Sequence, residues 1–176
     1  MSVMLYIIVH NISSVQRLSD IARFILTYTK KHEVPLLVLS RVSGSAAQTG
    51  LAEVSKLAYK LGRPILITEG LEDAFQIIKP EKSFIVLSQG EEINSVLKEL
   101  EENKKVALIL PGSESAFSKH EASLATPIKV NGLTEENGVV PLIAITIHKI
   151  IAYIRESRKN ISYRLIQKNN SAGPVV

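Results

Sequence analysis

The chain has 176 residues, of which 45% are hydrophobic and 22% are charged, and its formal net charge is +4. These totals favour one soluble globular domain. The absence of cysteine excludes disulfides, thiolate metal ligands and a cysteine nucleophile, and it favours a cytoplasmic protein. No apolar run reaches the roughly eighteen residues that a membrane span needs. The first ten residues lack a basic leader and a cleavage site, so they predict a buried strand and not a signal peptide.

Apolar strands alternate with helical segments along the chain. The first strand is the continuous apolar run Met4–Val9, and Ser13 or Ser14 can cap the helix that follows. Further strands are predicted over 34–40, 64–68, 83–87, 106–110 and 128–130, and further helices over 50–61, 71–78, 91–103 and 139–157. Strands that are apolar throughout and alternate with helices predict an α/β fold, with one parallel sheet and helices on both faces.

The predicted domain spans residues 1–160, and residues 161–176 are predicted to form a basic, partly flexible tail. Within this tail, 161–166 could add an edge strand or simply trail. Between Lys149 and Lys168 there are six basic residues and one acid, whereas the other segments hold 15 basic and 16 acidic residues. Such a segment favours contact with a polyanion. The alternative is a solvated helix end, where cations also favour the negative pole of the helix dipole.

Ligands of open parallel sheets bind beyond the carboxyl ends of the strands. The candidate positions are therefore 10–11, 41–44, 69–70, 88–90 and 111–114. The segment from Gly44 to Gly50 lacks the Lys and Ser/Thr that follow the second glycine of a P-loop. Nucleoside triphosphate chemistry is therefore not expected, although this loop could still hold a phosphate or ribose, or simply connect two elements.

Patterns for hydrolysis are weak in this sequence. The segment Gly112-Ser-Glu-Ser-Ala116 lacks the second glycine of a nucleophile elbow. The four histidines have no i, i+4 pair, which argues against a helical zinc site, and no metal is expected. The one Glu-x-Lys of the nuclease type, Glu102-Asn-Lys104, lies in a charged helix end with no well-placed aspartate. A small-molecule hydrolase has no motif behind it either.

The last third of the chain carries the most informative pattern. An apolar strand runs into Pro111-Gly-Ser-Glu114, a short strand follows near Ile128, and Gly138 opens the final helix. Gly112 lets the backbone pass close to a flat ligand because it has no Cβ. This order, together with Asn11 after the first strand and Arg23 on the first helix, resembles the SPOUT (SpoU–TrmD) superfamily of RNA methyltransferases. The resemblance is to the SpoU-like branch, in its archaeal-type stand-alone form.

The resemblance implies an α/β fold with a C-terminal trefoil knot and a homodimer. It also implies S-adenosylmethionine as cofactor and methyl transfer to a tRNA or rRNA, with a ribose 2′-oxygen as one candidate acceptor. It implies catalytic roles for Asn11, Arg23 and Glu114. Arg23 would bind phosphate or orient the attacking hydroxyl, and a structural Arg23–Glu114 salt bridge is the alternative. The expected RNA-binding residues are Arg41, Ser43, Arg155, Arg158, Lys159 and Arg164. The expected cofactor-binding residues are Val86, Leu87, Ser88, Leu110, Pro111, Gly112, Val130, Asn131, Gly132, Gly138, Val139, Val140 and Leu142.

The chain departs from the third motif of that family. Gly138, Val139 and Val140 stand where the family has Ser-Leu-Asn, and the Pro of its Ile-Pro-Met is absent. Contacts to the cofactor in this family are largely to backbone, so binding can survive the change, whereas catalysis loses a side-chain amide. A second function therefore stays open, a knotted RNA-binding module without methyl transfer.

Overall fold

The computed structural model describes residues 3–171 of the chain. Strands and helices alternate, as the apolar runs predict. The strands are β1 (Met4–Ile12), β2 (Leu37–Val42), β3 (Ile65–Thr68), β4 (Lys82–Glu92), β5 (Lys105–Pro111) and β6 (Thr126–Lys129). The helices are α1 (Val15–Tyr28), α2 (Leu51–Lys60), α3 (Leu71–Ile78), α4 (Ile93–Glu102), α5 (Lys119–Ala122) and α6 (Val139–Ser171). A π-helical turn (Ala46–Gly50) precedes α2, and a 3-10 turn (Glu135–Asn137) precedes α6.

The six strands form one parallel sheet in the order β3-β2-β1-β5-β4-β6. β1 lies near the centre, where Ile8 aligns with Val38 of β2 on one side and with Ile109 of β5 on the other. Because every strand points the same way, the carboxyl ends of β1, β2 and β5 meet at one edge. The predicted α/β fold with a parallel sheet is confirmed.

Helices cover both faces of the sheet, which explains why the strands are apolar throughout. On one face, Leu5, Ile7 and Val9 of β1 pack in a cluster with buried residues of α1, α2, α4 and α6. On the other face, Ile8 packs with Leu71, Ala74 and Ile78 of α3. Among the described residues, no helix is both long enough and apolar enough to cross a membrane.

Most element boundaries agree with the sequence pattern, and the capping residues explain several of them. The hydroxyl of Ser14 accepts a hydrogen bond from the backbone N–H of Arg17 and so caps α1. Gly62 has a φ of 62° just after α2, where a left-handed residue ends the helix. Lys79 ends α3 in the same conformation at a φ of 50°, immediately before Pro80.

Several elements differ from the prediction, including β1, which runs to Ile12 and not to Val9, and β2, which spans Leu37–Val42 and not 34–40. Helix α6 runs to Ser171 and not to about 157, so residues 161–166 form no edge strand. Strand β4 runs to Glu92, because it pairs again with Ile128 after an excursion between Val86 and Glu91. Helix α5 was not predicted, since four residues are too few to show a helical period. Residues 172–176 of the predicted tail lie outside the described residues.

Candidate active site

Backbone strain marks the carboxyl ends of β1 and β2. Asn11 and Arg41, which follow paired residues of these strands, have φ values of 65° and 51°. A side chain other than glycine rarely adopts positive φ, and such strain of roughly 1–3 kcal/mol is concentrated at functional sites. The two residues therefore direct attention to this corner of the sheet.

A buried imidazole lies beside the strained residues. His10, on β1, is fully buried, and its Nδ1 lies 3.0 Å from the hydroxyl of Ser40 on β2. Its ring stacks on Phe117 with the centroids 5.7 Å apart. Burial lowers the pKa of His10 below its ordinary value of 6.5; the charge of Arg41 lowers it further, and Glu121 offsets only part of the shift. His10 is therefore a neutral imidazole at neutral pH.

Glu121 connects His10 to the surface. The short helix α5 begins with a reciprocal cap, in which the Ser118 hydroxyl accepts from the Glu121 N–H and the Glu121 carboxylate accepts from the Ser118 N–H. The Oε1 atom of Glu121 lies 2.7 Å from Nη2 of Arg41 and 3.1 Å from Nε2 of His10. Burial raises the pKa of Glu121, but the bonds from Ser118 and the charges of His10 and Arg41 outweigh it, so its pKa lies below 4.5.

A solvent-open cavity of about 240 Å³ lies against this cluster, and we call it the β1–β2 cavity. On its exposed side, Nε2 of His120 lies 2.9 Å from Oε1 of Glu72, the second residue of α3. Asp73 lies in the same wall and caps α3 by accepting from the N–H of Gly70. The lining residues are Arg41, Gly70, Leu71, Glu72, Asp73, Ser118, His120, Glu121 and Leu124.

The Ser40–His10–Glu121 chain has the connectivity of a hydrolase triad, but it cannot act as one. Ser40 is fully buried between two strands of the sheet, so no substrate can reach its hydroxyl. A nucleophile must lie within bonding reach of the atom it attacks. The accessible chemical groups are instead Arg41, Glu72 and His120, which line the cavity.

The predicted catalytic residues lie near this corner but are not all brought together. Asn11 donates from Nδ2 to the carbonyl of Ala116 at 3.3 Å. Glu114 forms a two-pronged bond with Arg17, at 2.7 and 3.1 Å, which lowers the pKa of Glu114. The predicted alternative of an Arg23–Glu114 salt bridge is therefore wrong. Arg23 lies six residues after Arg17 on α1 and so faces a different direction, exposed to solvent.

The predicted cofactor-binding residues gather at the other half of the same edge, which we call the β4–β6 region. Five of them, Val86, Leu110, Val130, Val139 and Leu142, are buried in one apolar cluster. Pro111 is also buried, Leu87, Gly138 and Val140 are half-buried, and Ser88, Asn131 and Gly132 are exposed. Gly112 is buried and cannot carry a side chain, because a Cβ there would lie 2.3 Å from Ile12 and 2.7 Å from the carbonyl of His10. That glycine is thus explained by packing against β1.

The predicted RNA-binding residues have several different environments. Arg155 forms two bonds of 2.7 and 2.9 Å with the buried carboxylate of Glu33 and lies over the ring of Tyr28. Arg158 lies 3.5 Å from the carbonyl of Val3. Lys159 and Arg164 are exposed on α6, and Ser43 is exposed after β2. The basic segment is therefore partly structural, since its Arg155 fastens α6 to the end of α1.

Sequence reasoning missed most of the polar cluster. His10 was among the residues expected at the carboxyl edge, but nothing in the pattern indicated that Ser40 and Glu121 would join it. One local signal was readable: Ser118-Lys-His-Glu121 has the spacing of a capping box, which predicts a helix start at this point. The pairing of Glu72 with His120 spans 48 residues and left no such signal.

The described residues do not fit a metal-dependent nuclease centre. Over residues 3–171, no group of three or more His, Asp or Glu side chains is arranged to hold a metal ion. The Glu-x-Lys segment lies at the opposite edge of the sheet, since Lys104 directly precedes the start of β5. Both Glu102 and Lys104 are exposed there.

Solved structures share this fold. A probable methyltransferase from Bordetella pertussis Tohama I matches with a TM-score of 0.66 and 15% identity, over 86% of this chain and 95% of that one. The SpoU methyltransferase AviRb from Streptomyces viridochromogenes, solved in complex with AdoMet, matches with a TM-score of 0.60 and 9% identity, over 86% of this chain and 62% of that one. The likeness shows the fold alone, and the predicted resemblance to the SpoU-type fold is confirmed at that level.

Sequence similarity gives a different functional indication. The model of the family described as RecB-family nuclease (DUF2122) matches residues 44–149. The "Putative type II restriction enzyme ApeKORF2002P" of Aeropyrum pernix is 30% identical over 147 residues, which cover 82% of this chain and 90% of that protein. The chain belongs to the DUF2122 family.

These matches correct the function predicted from the sequence. The prediction was an S-adenosylmethionine-dependent RNA methyltransferase, with an inactive RNA-binding module as the alternative. The family description and the Aeropyrum relative name a nuclease and a restriction enzyme, and they contradict that prediction. The coarser prediction of an enzyme agrees with both kinds of comparison. The error arose because the fold is shared by proteins with different activities.

Proposed function

We propose that the chain hydrolyses phosphodiester bonds of a nucleic acid in the β1–β2 cavity. The observation that carries the proposal is the presence, in one solvent-open cavity, of a guanidinium and an imidazole–carboxylate pair. The family description, a nuclease, supports the same reaction class. Arg41, His120 and Glu72 are the residues to which we assign the chemistry.

Arg41 is the residue to which we assign binding of the phosphate group. A guanidinium has five N–H donors, and the bond to Glu121 leaves donors available on a side chain that is 48% exposed. Donors of this kind stabilise the negative charge that develops on the phosphoryl oxygens in the transition state.

His120 is the acid–base group, oriented by Glu72. Water attacks phosphorus as the bond between phosphorus and the leaving oxygen breaks. The imidazole of His120 accepts a proton from the attacking water, and the leaving oxygen takes a proton from solvent, to which the cavity is open. General acid–base catalysis of this kind contributes typically 10²–10⁴-fold to a rate. Both side chains of the pair are 69% exposed, so the pair contributes little to stability and is accessible to a substrate.

The negative charge of the cavity is expected to affect the KM for a nucleic acid. Three carboxylates, Glu72, Asp73 and Glu121, line the cavity together with one guanidinium, so the net negative charge weakens the binding of a phosphate diester. Replacing Asp73 by Asn keeps an acceptor for the N–H of Gly70 and removes one of these charges. We expect Asp73→Asn to lower KM several-fold without changing kcat.

The test is cleavage of labelled single-stranded and duplex DNA and RNA, with and without EDTA. We expect cleavage that survives EDTA, a loss of at least about 100-fold in kcat for His120→Gln, and a smaller loss for Glu72→Gln. Lys119→Gln is the matched control, because Lys119 is the exposed neighbour of His120 on α5. Absence of cleavage of all four substrates by the wild-type chain, or cleavage unaffected by His120→Gln, would overturn the assignment.

We also propose that the chain binds S-adenosylmethionine, without assigning a reaction to it. The proposal is supported by the shared fold with AviRb, which was solved in complex with AdoMet. The predicted cofactor residues supply exposed polar groups at Ser88 and Asn131 beside the buried valine and leucine cluster. A thermal shift or calorimetric heat at millimolar ligand is expected. Ser88→Trp should abolish it by filling the exposed turn, whereas Ser95→Trp on the outside of α4 should not; no signal from the wild-type chain contradicts the proposal.

The C-terminal trefoil knot, the homodimer and RNA as a partner stay predictions from the resemblance. Because RNA is a predicted partner, the cleavage test includes RNA substrates. Sedimentation equilibrium measures the oligomeric state, with two copies as the expected result.

A further inference from the structure

One buried titratable group at the cavity has no part in the chemistry assigned above. His10 is fully buried, and its Nε2 atom lies 3.1 Å from Oε1 of Glu121 without meeting the geometric criteria of a hydrogen bond. A buried polar atom left without a bond is destabilising, because it has lost its hydrogen bonds to water. Such an atom in a native structure calls for a physical reason.

The oxygen that His10 faces is already in use. Nη2 of Arg41 contacts the same Oε1 at 2.7 Å, while the other carboxylate oxygen of Glu121 accepts from the Ser118 N–H at 2.9 Å. Oε1 therefore lies between two cationic or potentially cationic groups, one buried and one facing the cavity. A charge gained by His10 would therefore compete with Arg41 for this one oxygen, because hydrogen bonds to a charged donor are the stronger ones.

We propose that His10 is a positioning residue that sets whether Arg41 can bind an anion in the β1–β2 cavity. With His10 neutral, Oε1 of Glu121 holds the guanidinium of Arg41. With His10 protonated, the imidazolium takes Oε1 in a charge-assisted bond, and Arg41 turns to a phosphate group in the cavity. The inference rests on the proposed function only for the identity of Arg41 as the phosphate-binding group.

The charges around His10 give the direction of the effect. Arg41 and Glu121 face it from β2 and α5, its Nδ1 faces the neutral hydroxyl of Ser40, and Phe117 covers the ring. Glu72, Asp73 and His120 line the far side of the cavity. Because burial holds the pKa of His10 below 6.5, the switch operates on the acidic side of neutrality. Anion binding should therefore strengthen as the pH falls.

The first test measures binding of sulfate, whose charge is constant between pH 5 and 8, by calorimetry at fixed ionic strength. All variants carry His120→Gln, which removes the other imidazole that lines the cavity. In this background we expect the dissociation constant to fall roughly tenfold from pH 8 to pH 5. Adding His10→Gln should flatten the profile, because the amide has no charge to gain. The control is His32→Gln, an exposed histidine outside the cavity lining, and it should keep the slope. If the dissociation constant of sulfate still falls with decreasing pH in His10→Gln, the inference is wrong.

The second test needs no change at His10. In the NMR spectrum, the Nε–H resonance of Arg41 should move with the same midpoint as the titration of the His10 ring. An Arg41 signal that stays constant through that midpoint overturns the inference, even if the chain binds sulfate. Failure of sulfate to bind at every pH, with the two resonances still coupled, would instead count against Arg41 as the phosphate group of the proposed function.

Discussion

Two regions share the carboxyl edge of the sheet, and they are built in opposite ways. The β1–β2 corner has buried polar side chains, His10, Ser40 and Glu121, and a strained backbone at Asn11 and Arg41. The β4–β6 region has an apolar cluster and a glycine, Gly90, against which the backbone of Ile128 packs directly. The comparison teaches that side-chain chemistry is concentrated at the first region, whereas the second depends on close approach of main chain.

The largest expected effect is a loss of stability from a substitution in the β4–β6 region. A Cβ at Gly90 would lie 2.4 Å from the backbone N and C atoms of Ile128, and strand backbone cannot move aside as a flexible side chain can. We expect Gly90→Ala to lower the free energy of unfolding by about 3 kcal/mol. Gly70→Ala is the control, because nothing lies within 4 Å of its Cβ position, and it should cost well under 1 kcal/mol. Urea unfolding measures both; equal losses would show that Gly90 is not tightly packed.

The second effect tests the polar corner. Glu121→Ala removes the partner of Arg41 and of the Ser118 N–H, and we expect a loss of about 2 kcal/mol at pH 7. Glu72→Ala, which removes an exposed carboxylate from the same cavity, should cost less than about 0.5 kcal/mol.

The same variant has a signature in acid. The pKa of Glu121 lies below 4.5 in the folded chain, so its contribution is present above that value and is lost as the pH falls through the folded pKa. The difference between wild type and Glu121→Ala should therefore shrink in acid. A difference that is constant from pH 7 to pH 3 would show that the charge of Glu121 does not matter.

The smallest effect concerns His10 alone. Because its folded pKa lies below 6.5, the unfolded chain binds more protons just below that pH, and stability falls as the pH drops through 6.5 towards the folded pKa. We expect His10→Gln to remove this part of the pH dependence between pH 7 and pH 5. Thermal unfolding in a series of buffers measures it, with His32→Gln as the control; an unchanged slope in His10→Gln contradicts the assignment.

The sequence predicted the fold well because its strongest signal is local. Each parallel strand is covered on both faces, so its apolar run is continuous, and the run 106–110 could be recognised without knowing its partners. The helix ends were equally local, since Ser14 and Gly62 act through their own backbone. Helix α6 was cut short in the prediction because the polar residues after Ser157 resemble a tail.

The site could not be predicted to the same extent, because its contacts are between distant residues. His10 meets Glu121 across 111 positions of the chain, and Arg155 meets Glu33 across 122. Charge counting placed Arg155 in an RNA-binding patch, while its actual partner is a buried carboxylate. Arg41 and Gly70 are the residues of the cavity lining that the sequence placed among the candidates, and both were chosen from their positions after a strand.

The strand order has a consequence for the order in which the molecule can be assembled during synthesis. β1 pairs on one side with β2, its neighbour in the chain, and on the other with β5, where Met4 is aligned with Lys105. The long connection makes that second pairing slow, since the entropy of closing a loop grows with its length. A nascent chain emerging from the ribosome therefore carries an open, apolar strand edge until β5 appears. That interval is when the protein is most exposed to aggregation.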